Sequence, residues 1–410
     1  MKFEIIRDPL WNNIRVDAFT MRLVDTPAFQ RLRYVRQLGL AYLVYPGATH
    51  SRFEHALGTY HLSRRTIALL EERGELASLP ADEPAIIYAA ALLHDVGHYP
   101  FSHALEEIGA LHHENVAGPL ITGGEIGALL NQELGAGAAA RVHALVTGKS
   151  DSALQGLISG SLDLDKIEYL KRDALMCGVP YGEVDVDRLT NSMVVLEDPA
   201  TRKKRIGVVE KALAAIESLL FAKYQMYRNV YWHHTVRSAT AMYKRIVDDA
   251  LRSGAVRSEE LGTFTDEGLL HRLEPTRSPI LSALRERRLY KRAAEWPAAT
   301  LEEGFGDWIA EDRARVVAIE DSLAREAGLA PGELLLDYPL KTQMLGLDLP
   351  VVRRDGSVER LTESGWKGTI DLPSLSEQLY RSTRWLRVFS ARAITLDRDA
   401  VMRTITAEGS

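Results

Sequence analysis

The sequence has few of the features that mark secreted, membrane-spanning or nucleic-acid-binding proteins. Only one of its 410 residues is cysteine, Cys177, so neither an intrachain disulfide nor a thiolate metal cluster can form. The longest apolar run covers nine residues, 85–93, well short of the roughly 20 that cross a bilayer, and residues 1–8 lack the apolar segment of a secretory signal. With 50 basic and 56 acidic residues, the chain has no overall charge that would attract nucleic acid or an anionic membrane. We therefore expect a cytoplasmic protein without a membrane association or a nucleic-acid partner.

The apolar pattern predicts a mainly helical fold. Apolar residues recur every three or four positions through most of the first 250 residues. Helices are expected near 17–24, 27–38, 52–74, 82–95, 101–109, 112–121, 136–147, 163–175, 210–252 and 308–327. Strands are expected as one hairpin over 194–196 and 206–209, a second over 349–353 and 358–361, and short strands at 333–337 and 383–389. The prediction is a helical domain over 1–252 and a smaller α+β C-terminal lobe over 253–410.

Histidine is concentrated in one part of the chain. Eight of the 12 histidines lie between His50 and His113, a window of about a sixth of the length, where an even distribution would place about two. Histidine is the commonest metal ligand in proteins and carries protons near neutral pH. The concentration therefore favours catalysis or metal binding in this segment.

The most informative part of this window is the pair His94-Asp95, at the end of an apolar helix. We expect Gly97 to stop that helix in the left-handed conformation. A lone His-Asp pair would fit packing and a surface hydrogen bond better than a metal site. Three features reverse this preference. His55 lies near the start of an earlier helix, and Asp165 lies at the start of a later one. On that later helix, Asp165, Tyr169 and Asp173 follow one another at intervals of four residues and so share one face.

Together these four residues would supply two imidazoles and two carboxylates to one ion. A mixed nitrogen and oxygen set suits Mn, Fe, Co, Ni or Zn better than calcium. A divalent ion with open positions activates water and neutralises phosphate charge, so we expect hydrolysis of a phosphate ester. The predicted metal ligands are His55, His94, Asp95 and Asp165.

The same residues resemble the H…HD…D signature of HD-domain metal-dependent phosphohydrolases. The context is similar to a narrower family, the deoxynucleoside triphosphate (dNTP) triphosphohydrolases of the branch that contains the SAM-and-HD-domain protein. The similar segments are residues 25–34 (DTPAFQRLRY), 45–55 (YPGATHSRFEH), 93–103 (LHDVGHYPFSH) and 163–173 (DLDKIEYLKRD). The resemblance covers roughly residues 3–240, lacks the SAM domain, and implies a helical HD-domain core.

The resemblance implies hydrolysis at the α-phosphorus, which yields a deoxynucleoside and intact inorganic triphosphate. It also implies Mg²⁺ beside the transition metal. His98, His103 and His113 match the family's catalytic histidines, and His103 would protonate the departing 5′ oxygen. Glu106 stands where the family has an aspartate that supports this histidine. Because Glu106 is one helical turn from His103, it can orient the imidazole as a proton donor.

Eight residues match the family's substrate contacts. Arg52 and Lys166 would bind phosphates, although surface solvation is the usual fate of such residues. Lys223 replaces an arginine that binds the γ-phosphate, which keeps the charge but loses the two-pronged geometry. Tyr169 and Tyr231 would crowd the ribose 2′ position and so select deoxy sugars, whereas core packing is the alternative for both. The full set is Gln37, Leu38, Arg52, Lys166, Tyr169, Asp173, Lys223 and Tyr231.

The resemblance to the family is less complete at its activator site. Asp25, Gln30 and Arg33 match the family's guanine-binding pocket, which would make GTP or dGTP an activator. Glu4 replaces a phosphate-contacting lysine, and Trp11-Asn12 replaces a His-Gly pair. The first three residues could equally form a helix cap and surface pairs.

Two alternatives to a dNTP triphosphohydrolase stay open. In the first, a phosphohydrolase or phosphodiesterase with the same metal site acts on a ribonucleotide, a monophosphate or a signalling nucleotide. In the second, the protein is an inactive nucleotide sensor, which the intact metal ligands and catalytic histidines argue against. The resemblance also implies a homo-oligomer, either a dimer or a tetramer.

Overall fold

Helices dominate the structure, a computed structural model that describes residues 3–302, 304–339, 347–362 and 372–407. The α-helices are α1 (Ala18–Val24), α2 (Pro27–Gln30), α3 (Arg52–Glu72), α4 (Glu83–Leu93), α5 (His113–Thr122), α6 (Gly124–Leu134), α7 (Ala138–Val146), α8 (Leu164–Cys177), α9 (Val186–Ser192), α10 (Leu213–Met226), α11 (His234–Arg252), α12 (Asp266–Leu273), α13 (Pro279–Arg285), α14 (Arg313–Glu326), α15 (Leu372–Thr383) and α16 (Arg398–Ala407). Among the described residues, none of these helices combines the length and apolarity needed to cross a bilayer. The mainly α fold class is confirmed.

Among the described residues, strands form three separate sheets. They are β1 (Phe3–Asp8), β2 (Asn12–Asp17), β3 (Met193–Glu197), β4 (Lys204–Val209), β5 (Lys291–Pro297), β6 (Leu334–Asp337), β7 (Leu349–Val352), β8 (Val358–Leu361) and β9 (Trp385–Ser390). The first two form a hairpin, the second sheet has the order β3-β4-β7-β8, and the third has the order β5-β9-β6. Both predicted hairpins are present, whereas the β1–β2 hairpin and β5 are absent from the sequence prediction.

Three predicted helices have a different form in the structure. The segment predicted as a helix over 27–38 is the short α2 followed by a 3₁₀ turn, Arg31–Tyr34, and 101–109 contains a 3₁₀ segment, Ser102–Ile108. The long helix predicted over 210–252 is divided by a π-helical turn, Tyr227–Tyr231, between α10 and α11. Apolar periodicity is similar in these helical forms, so it does not distinguish them.

The main core lies between the helices of the first half of the chain. Apolar residues of α3, α4, α7, α8 and α10 pack together in it, and Leu349 and Val351 of β7 join them. β7 pairs in parallel with β4, with Val208 opposite Val351. One sheet therefore contains strands from both sides of the predicted boundary at residue 252, and that boundary stays a prediction.

Candidate active site

The four residues predicted to hold a metal meet at one point. His55 Nε2 lies 3.1 Å from His94 Nε2 and 2.9 Å from Asp165 Oδ1. Asp95 completes the group, with carboxylate oxygens 3.6 Å from His55 Nε2 and 3.4 Å from His94 Nε2. The structure thus brings together all four predicted ligands, which come from three separate parts of the chain.

Local sequence signals place these ligands at helix ends. His55 lies in the first turn of α3, where Ser51 and Glu54 form a capping box and Ser51 N donates to Glu54 Oε2 at 2.5 Å. Asp165 lies in the first turn of α8, whose N-cap is Asp163. The His-Asp pair directly follows the last residue of α4. Caps fix the starts of α3 and α8, and all three helices pack in the main core, so the ligand positions are fixed as well.

Gly97 serves a different purpose from the one predicted. It is not among the residues with positive φ, so it does not stop α4 in the left-handed conformation. A Cβ at this position would lie 2.3 Å from His113 O and 2.5 Å from Ala117 N. Glycine is required because α5 passes directly against this turn.

Both metal-site histidines are oriented through their second ring nitrogen. His94 Nδ1 lies 2.9 Å from the carbonyl oxygen of Ala91, and His55 Nδ1 lies 2.6 Å from Glu168 Oε2. These bonds direct both Nε2 atoms to the common centre, as is typical of metal-ligating histidines. Glu168 is absent from the sequence prediction, but its spacing is a signal, since it follows Asp165 by three residues on the same helix.

The charges at this centre depend on one another. Burial disfavours the charged form of His55, but hydrogen bonds to Asp165 and Glu168 raise its pKa to about 10. Burial also opposes charge on Asp165, yet its hydrogen bond to His55 helps hold the pKa of Asp165 well below its usual range. Burial likewise opposes charge on Asp95, yet the Arg52 guanidinium helps hold the pKa of this carboxyl well below its usual range. Two carboxylates that stay negative beside two imidazole nitrogens make a donor set suited to a divalent cation.

The predicted catalytic histidines form a second group beside the first. The His98 and His113 rings stack with centroids 3.7 Å apart, and the His98 and His103 centroids are 4.7 Å apart. The carboxylate of Glu106 accepts from His103 Nδ1 at 2.9 Å and from His113 Nδ1 at 2.7 Å. His98 Nε2 lies 3.2 Å from Asp95 Oδ1, which connects this group to the metal ligands.

Burial distinguishes the three histidines of this group. It lowers the pKa of His98 well below its usual value and that of His113 to about 4, so both rings are neutral at pH 7. Although burial opposes charge on Glu106, hydrogen bonds from His103 and His113 hold its pKa far below its usual range. The His103 side chain is 58% exposed. His103 therefore combines solvent access with an anionic partner.

A cavity of about 480 Å³ opens beside both groups, and Asp165, His103 and Glu106 form part of its wall. Most of the predicted substrate residues also line it: Gln37, Leu38, Arg52, Lys166, Tyr169, Asp173 and Tyr231. Lys223 is not among the described residues of the wall. It is half-buried, and burial together with the charge on Lys166 lowers its pKa to about 8.

The two wall residues predicted to bind phosphates are not solvated surface residues. Arg52 is buried, donating from Nη1 to Asp95 Oδ2 at 2.6 Å and from Nε to Ser102 Oγ at 3.0 Å. Lys166 is half-buried; its ammonium group donates to Gly160 O at 2.9 Å and pairs with Asp163. The surface alternative is therefore wrong for both.

Another part of the wall is built around Asp173, which is 1% exposed. Tyr231 Oη donates to Asp173 Oδ2 at 2.7 Å, and His50 Nε2 lies 2.8 Å from Asp173 Oδ1. Tyr169, one turn earlier on α8, has its ring centroid 6.5 Å from that of His55. Two tyrosines and a carboxylate thus share this wall with Asp165.

Two features of the wall are absent from the sequence prediction. The π turn brings Tyr227 to the cavity together with Tyr231, with ring centroids 5.2 Å apart, and such turns occur often at functional sites. Elsewhere Arg237 donates to Glu107 Oε1 at 2.9 Å and to Asp337 Oδ2 at 2.9 Å. No spacing rule connects residues so distant in the chain.

The predicted activator residues lie outside this cavity in the described part of the chain. Asp25 is the exposed C-cap of α1, and Gln30 Nε2 donates to Val24 O at 2.7 Å. Arg33 Nε donates to Gln30 Oε1 at 2.7 Å, and its guanidinium lies 3.6 Å from the centroid of the Phe53 ring. These contacts are those of a cap and a surface pair, so activation by GTP or dGTP stays a prediction.

Two family descriptions match the chain: an HD domain over residues 52–162 and an HD associated region over 184–365. An uncharacterized protein of Methanocaldococcus jannaschii is 32% identical over 364 residues, which span 88% of this chain and 74% of that protein. The chain belongs to the HD-domain family. Its HD match begins in the turn that carries His55 and includes the pair His94-Asp95, whereas Asp165, the last residue of the predicted signature, lies three residues beyond the end of the match.

Two further proteins are similar to this HD-domain chain. The deoxynucleoside triphosphate triphosphohydrolase SAMHD1 homolog of Dictyostelium discoideum is 28% identical over 343 residues, which span 76% of this chain and 64% of that protein. The crystal structure of a phosphohydrolase from Bacteroides thetaiotaomicron shares the fold, with a TM-score of 0.74 and 23% identity over 95% of this chain and 100% of that chain. The chain thus spans less than two thirds of the Dictyostelium protein and the whole of the Bacteroides fold.

Proposed function

We propose that the protein hydrolyses dNTPs at the α-phosphorus and releases a deoxynucleoside and inorganic triphosphate. The observation that carries this proposal is the composition of one cavity wall. Asp165 of the four-residue cluster, the cations Arg52 and Lys166, and the tyrosines Tyr169 and Tyr231 all line the same space of about 480 Å³. Such a space offers a hydrolytic centre, charge for phosphates and a crowded surface for a sugar.

The four-residue cluster fits one divalent transition metal, with Mg²⁺ as a second ion that helps bind the phosphates. The fit rests on the two Nε2 atoms of His55 and His94, which face each other at 3.1 Å, and on the negative carboxylates beside them. Mn, Fe, Co, Ni and Zn all accept such a donor set. A divalent ion at this point supplies a Lewis acid for the phosphate and an activated water.

The chain's own cations would bind the triphosphate. Arg52 keeps donors beyond those bonded to Asp95 and Ser102, since a guanidinium carries five N–H groups. Lys166 of α8 would add an ammonium group from the cavity wall, and Lys223 of α10, which is not among the described wall residues, would add a second. Because the site is largely buried, each charge acts in a low effective dielectric and attracts phosphate more strongly than it would in water.

The tyrosines and Asp173 would select the sugar. The Tyr231 hydroxyl is held by Asp173, so its ring cannot move aside without breaking a buried bond of 2.7 Å. A ribose 2′-hydroxyl placed against Tyr169 and Tyr231 would have to displace one of the rings. Gln37 Oε1 is buried without a hydrogen-bond partner among the described residues, and a sugar hydroxyl would satisfy it. Leu38 would pack near the sugar or the base.

His103 would donate the proton that the leaving group needs. In the proposed reaction one water adds to the α-phosphorus and the bond from that phosphorus to the 5′ oxygen breaks. The 5′ oxygen takes a proton from His103, and Glu106 stabilises the protonated imidazole through its bond to Nδ1. His98 and His113, neutral at pH 7, would pack and orient the groups around this step.

Product analysis tests the proposal. The protein is incubated with Mn²⁺ and Mg²⁺ and each dNTP or NTP, with and without GTP, and the products are separated by anion exchange. We expect a deoxynucleoside and triphosphate, with NTPs spared. Stimulation by added GTP would support the activator residues Asp25, Gln30 and Arg33, and the size of the active species would test the predicted dimer or tetramer.

Two variants control this experiment. His94→Ala/Asp95→Ala removes two donors and should abolish both metal binding and turnover. His271→Ala removes a histidine whose side chain is 82% exposed and should leave both unchanged. Monophosphate with pyrophosphate, no turnover of any triphosphate, or undiminished turnover in the double variant would contradict the proposal.

A further inference from the structure

The turn of the N-terminal hairpin reaches the metal centre from outside the helical bundle. Trp11, the last residue of the turn between β1 and β2, donates from its indole Nε1 to Glu168 Oε1 at 2.9 Å. The other oxygen of the same carboxylate, Oε2, lies 2.6 Å from His55 Nδ1. One carboxylate therefore joins the hairpin turn to a predicted metal ligand.

Glu168 is fully buried, so protein groups alone set its orientation. Arg172 Nε donates to Glu168 Oε1 at 2.7 Å, and Arg172 Nη1 donates to Asp8 Oδ2 at 3.0 Å. Asp8 Oδ1 in turn accepts from the backbone N–H of Trp11 at 2.7 Å. These contacts form a closed cycle of Trp11, Glu168, Arg172 and Asp8, in which the turn and α8 hold each other.

We propose that Trp11 is a positioning residue for His55 and acts through Glu168. Arg172 belongs to the same helix as Glu168, whereas the indole N–H comes from a different element. Without it, Glu168 Oε1 keeps only its contacts to Arg172, with Nε at 2.7 Å and Nη2 at 2.6 Å, so the carboxylate would turn toward the arginine and away from His55 Nδ1. A metal-ligating imidazole depends on such a fixed acceptor for its orientation. The inference rests on the proposed role of His55 as a metal ligand.

The proposal depends on the hydrogen bond that the indole N–H donates, and not on the packing of the ring. Trp11 is half-buried, and its ring centroid lies 5.6 Å from that of His61 at an interplanar angle of 33°. Phenylalanine would keep most of that apolar contact and lose only the donor. Histidine would lose area, but its Nε2 stands in the same relation to Cβ as the indole Nε1 does. The two substitutions therefore separate packing from hydrogen bonding.

The test measures the affinity of the whole protein for Mn²⁺ without nucleotide, by competition with a fluorescent chelator, together with the unfolding temperature of the metal-free protein. Trp11→Phe should raise the Kd roughly threefold to tenfold, and Glu168→Gln, which alters the group bonded to His55, roughly 10–100-fold. Trp11→His should stay within about twofold of the unaltered protein, since the N–H is restored. Trp296→Phe, a change to a buried indole of β5, should leave the Kd unchanged whatever its effect on stability.

An unchanged Kd in Trp11→Phe overturns the inference, as does an equal loss of affinity in Trp11→Phe and Trp296→Phe. If Trp11→Phe does not fold, the histidine variant decides, because tenfold weaker binding there also overturns it. Failure of the unaltered protein to bind Mn²⁺ ends the inference and the proposed function together. Weakened binding in Trp11→Phe with no cleavage of any triphosphate supports the inference and ends the proposed function alone.

Discussion

A single methyl group added to α3 tests how closely the side chains around the candidate metal site are packed. A Cβ at Gly58 would lie 2.0 Å from Glu168 Oε1 and 2.8 Å from Arg172 Nη2. Both partners are fully buried, so neither can move into solvent. Although burial raises the pKa of Glu168, Arg172 and His55 outweigh it and keep the carboxylate charged. Gly58→Ala therefore has to push an anion away from its partners.

The magnitude follows from two opposing terms. Alanine is favoured over glycine in a helix interior by about 1 kcal/mol, which would stabilise the variant. Breaking a buried ion pair costs about 3–5 kcal/mol, because a charge is left without its partner. The net expectation for Gly58→Ala is a loss of about 2–4 kcal/mol in the free energy of unfolding.

Urea unfolding of the metal-free protein, followed by circular dichroism, measures this loss. Gly118→Ala is the matched control, since it lies within α5 and the atoms nearest to its Cβ would belong to the His143 side chain, with Nε2 at 3.1 Å. We expect the control to stay within about 1 kcal/mol of the unaltered protein. A Gly58→Ala variant as stable as the unaltered protein, or no less stable than the control, would refute the reasoning.

Two further predictions concern the substrate. Because burial and Lys166 lower the pKa of Lys223 to about 8, this lysine loses its charge above that pH, and affinity for a non-hydrolysable dNTP analogue should fall roughly 10–100-fold between pH 7 and pH 10. Lys223→Arg, measured by calorimetry over the same range, should flatten the profile, and parallel profiles would contradict the assignment. Glu106→Gln removes the negative charge beside His103 and should lower kcat roughly a hundredfold with little change in KM. Steady-state kinetics would contradict this if the loss appeared in KM instead.

The metal ligands could be predicted from the sequence because each follows a local signal. His55 follows a capping box, Asp165 follows an N-cap aspartate, and the pair His94-Asp95 ends an apolar helix. Such signals act over three or four residues and depend little on the rest of the fold. Their convergence on one point was a hypothesis from spacing and resemblance, and the geometry agrees with it.

The surroundings of the site depend on contacts that no local pattern contains. The bond from Trp11 to Glu168 spans 157 positions, and the pair Arg237–Asp337 spans 100. Gly97 is difficult to interpret from the sequence for a related reason. A glycine can be required either because its φ is positive or because another part of the backbone passes close to it. Only the packing of α5 against the turn decides between them. Apolar periodicity likewise does not predict that the helix over 210–252 is divided.

The difference between local and distant contacts limits what membership of the HD-domain family predicts about this chain. The residues of the HD signature lie in, or directly after, helices of the first half of the chain, and in the proposed function they form the reaction centre. The cavity in front of that centre is also lined by Trp232, Arg237 and Pro339, from the segment between α10 and α11, from α11 itself and from the residues after β6. A scaffold that keeps the centre and changes these residues would keep its chemistry and alter its substrate. In the proposed function, the choice among dNTPs and other nucleotides would therefore depend on these residues of the second half of the chain as well as on Gln37, Tyr169 and Asp173 of the first half.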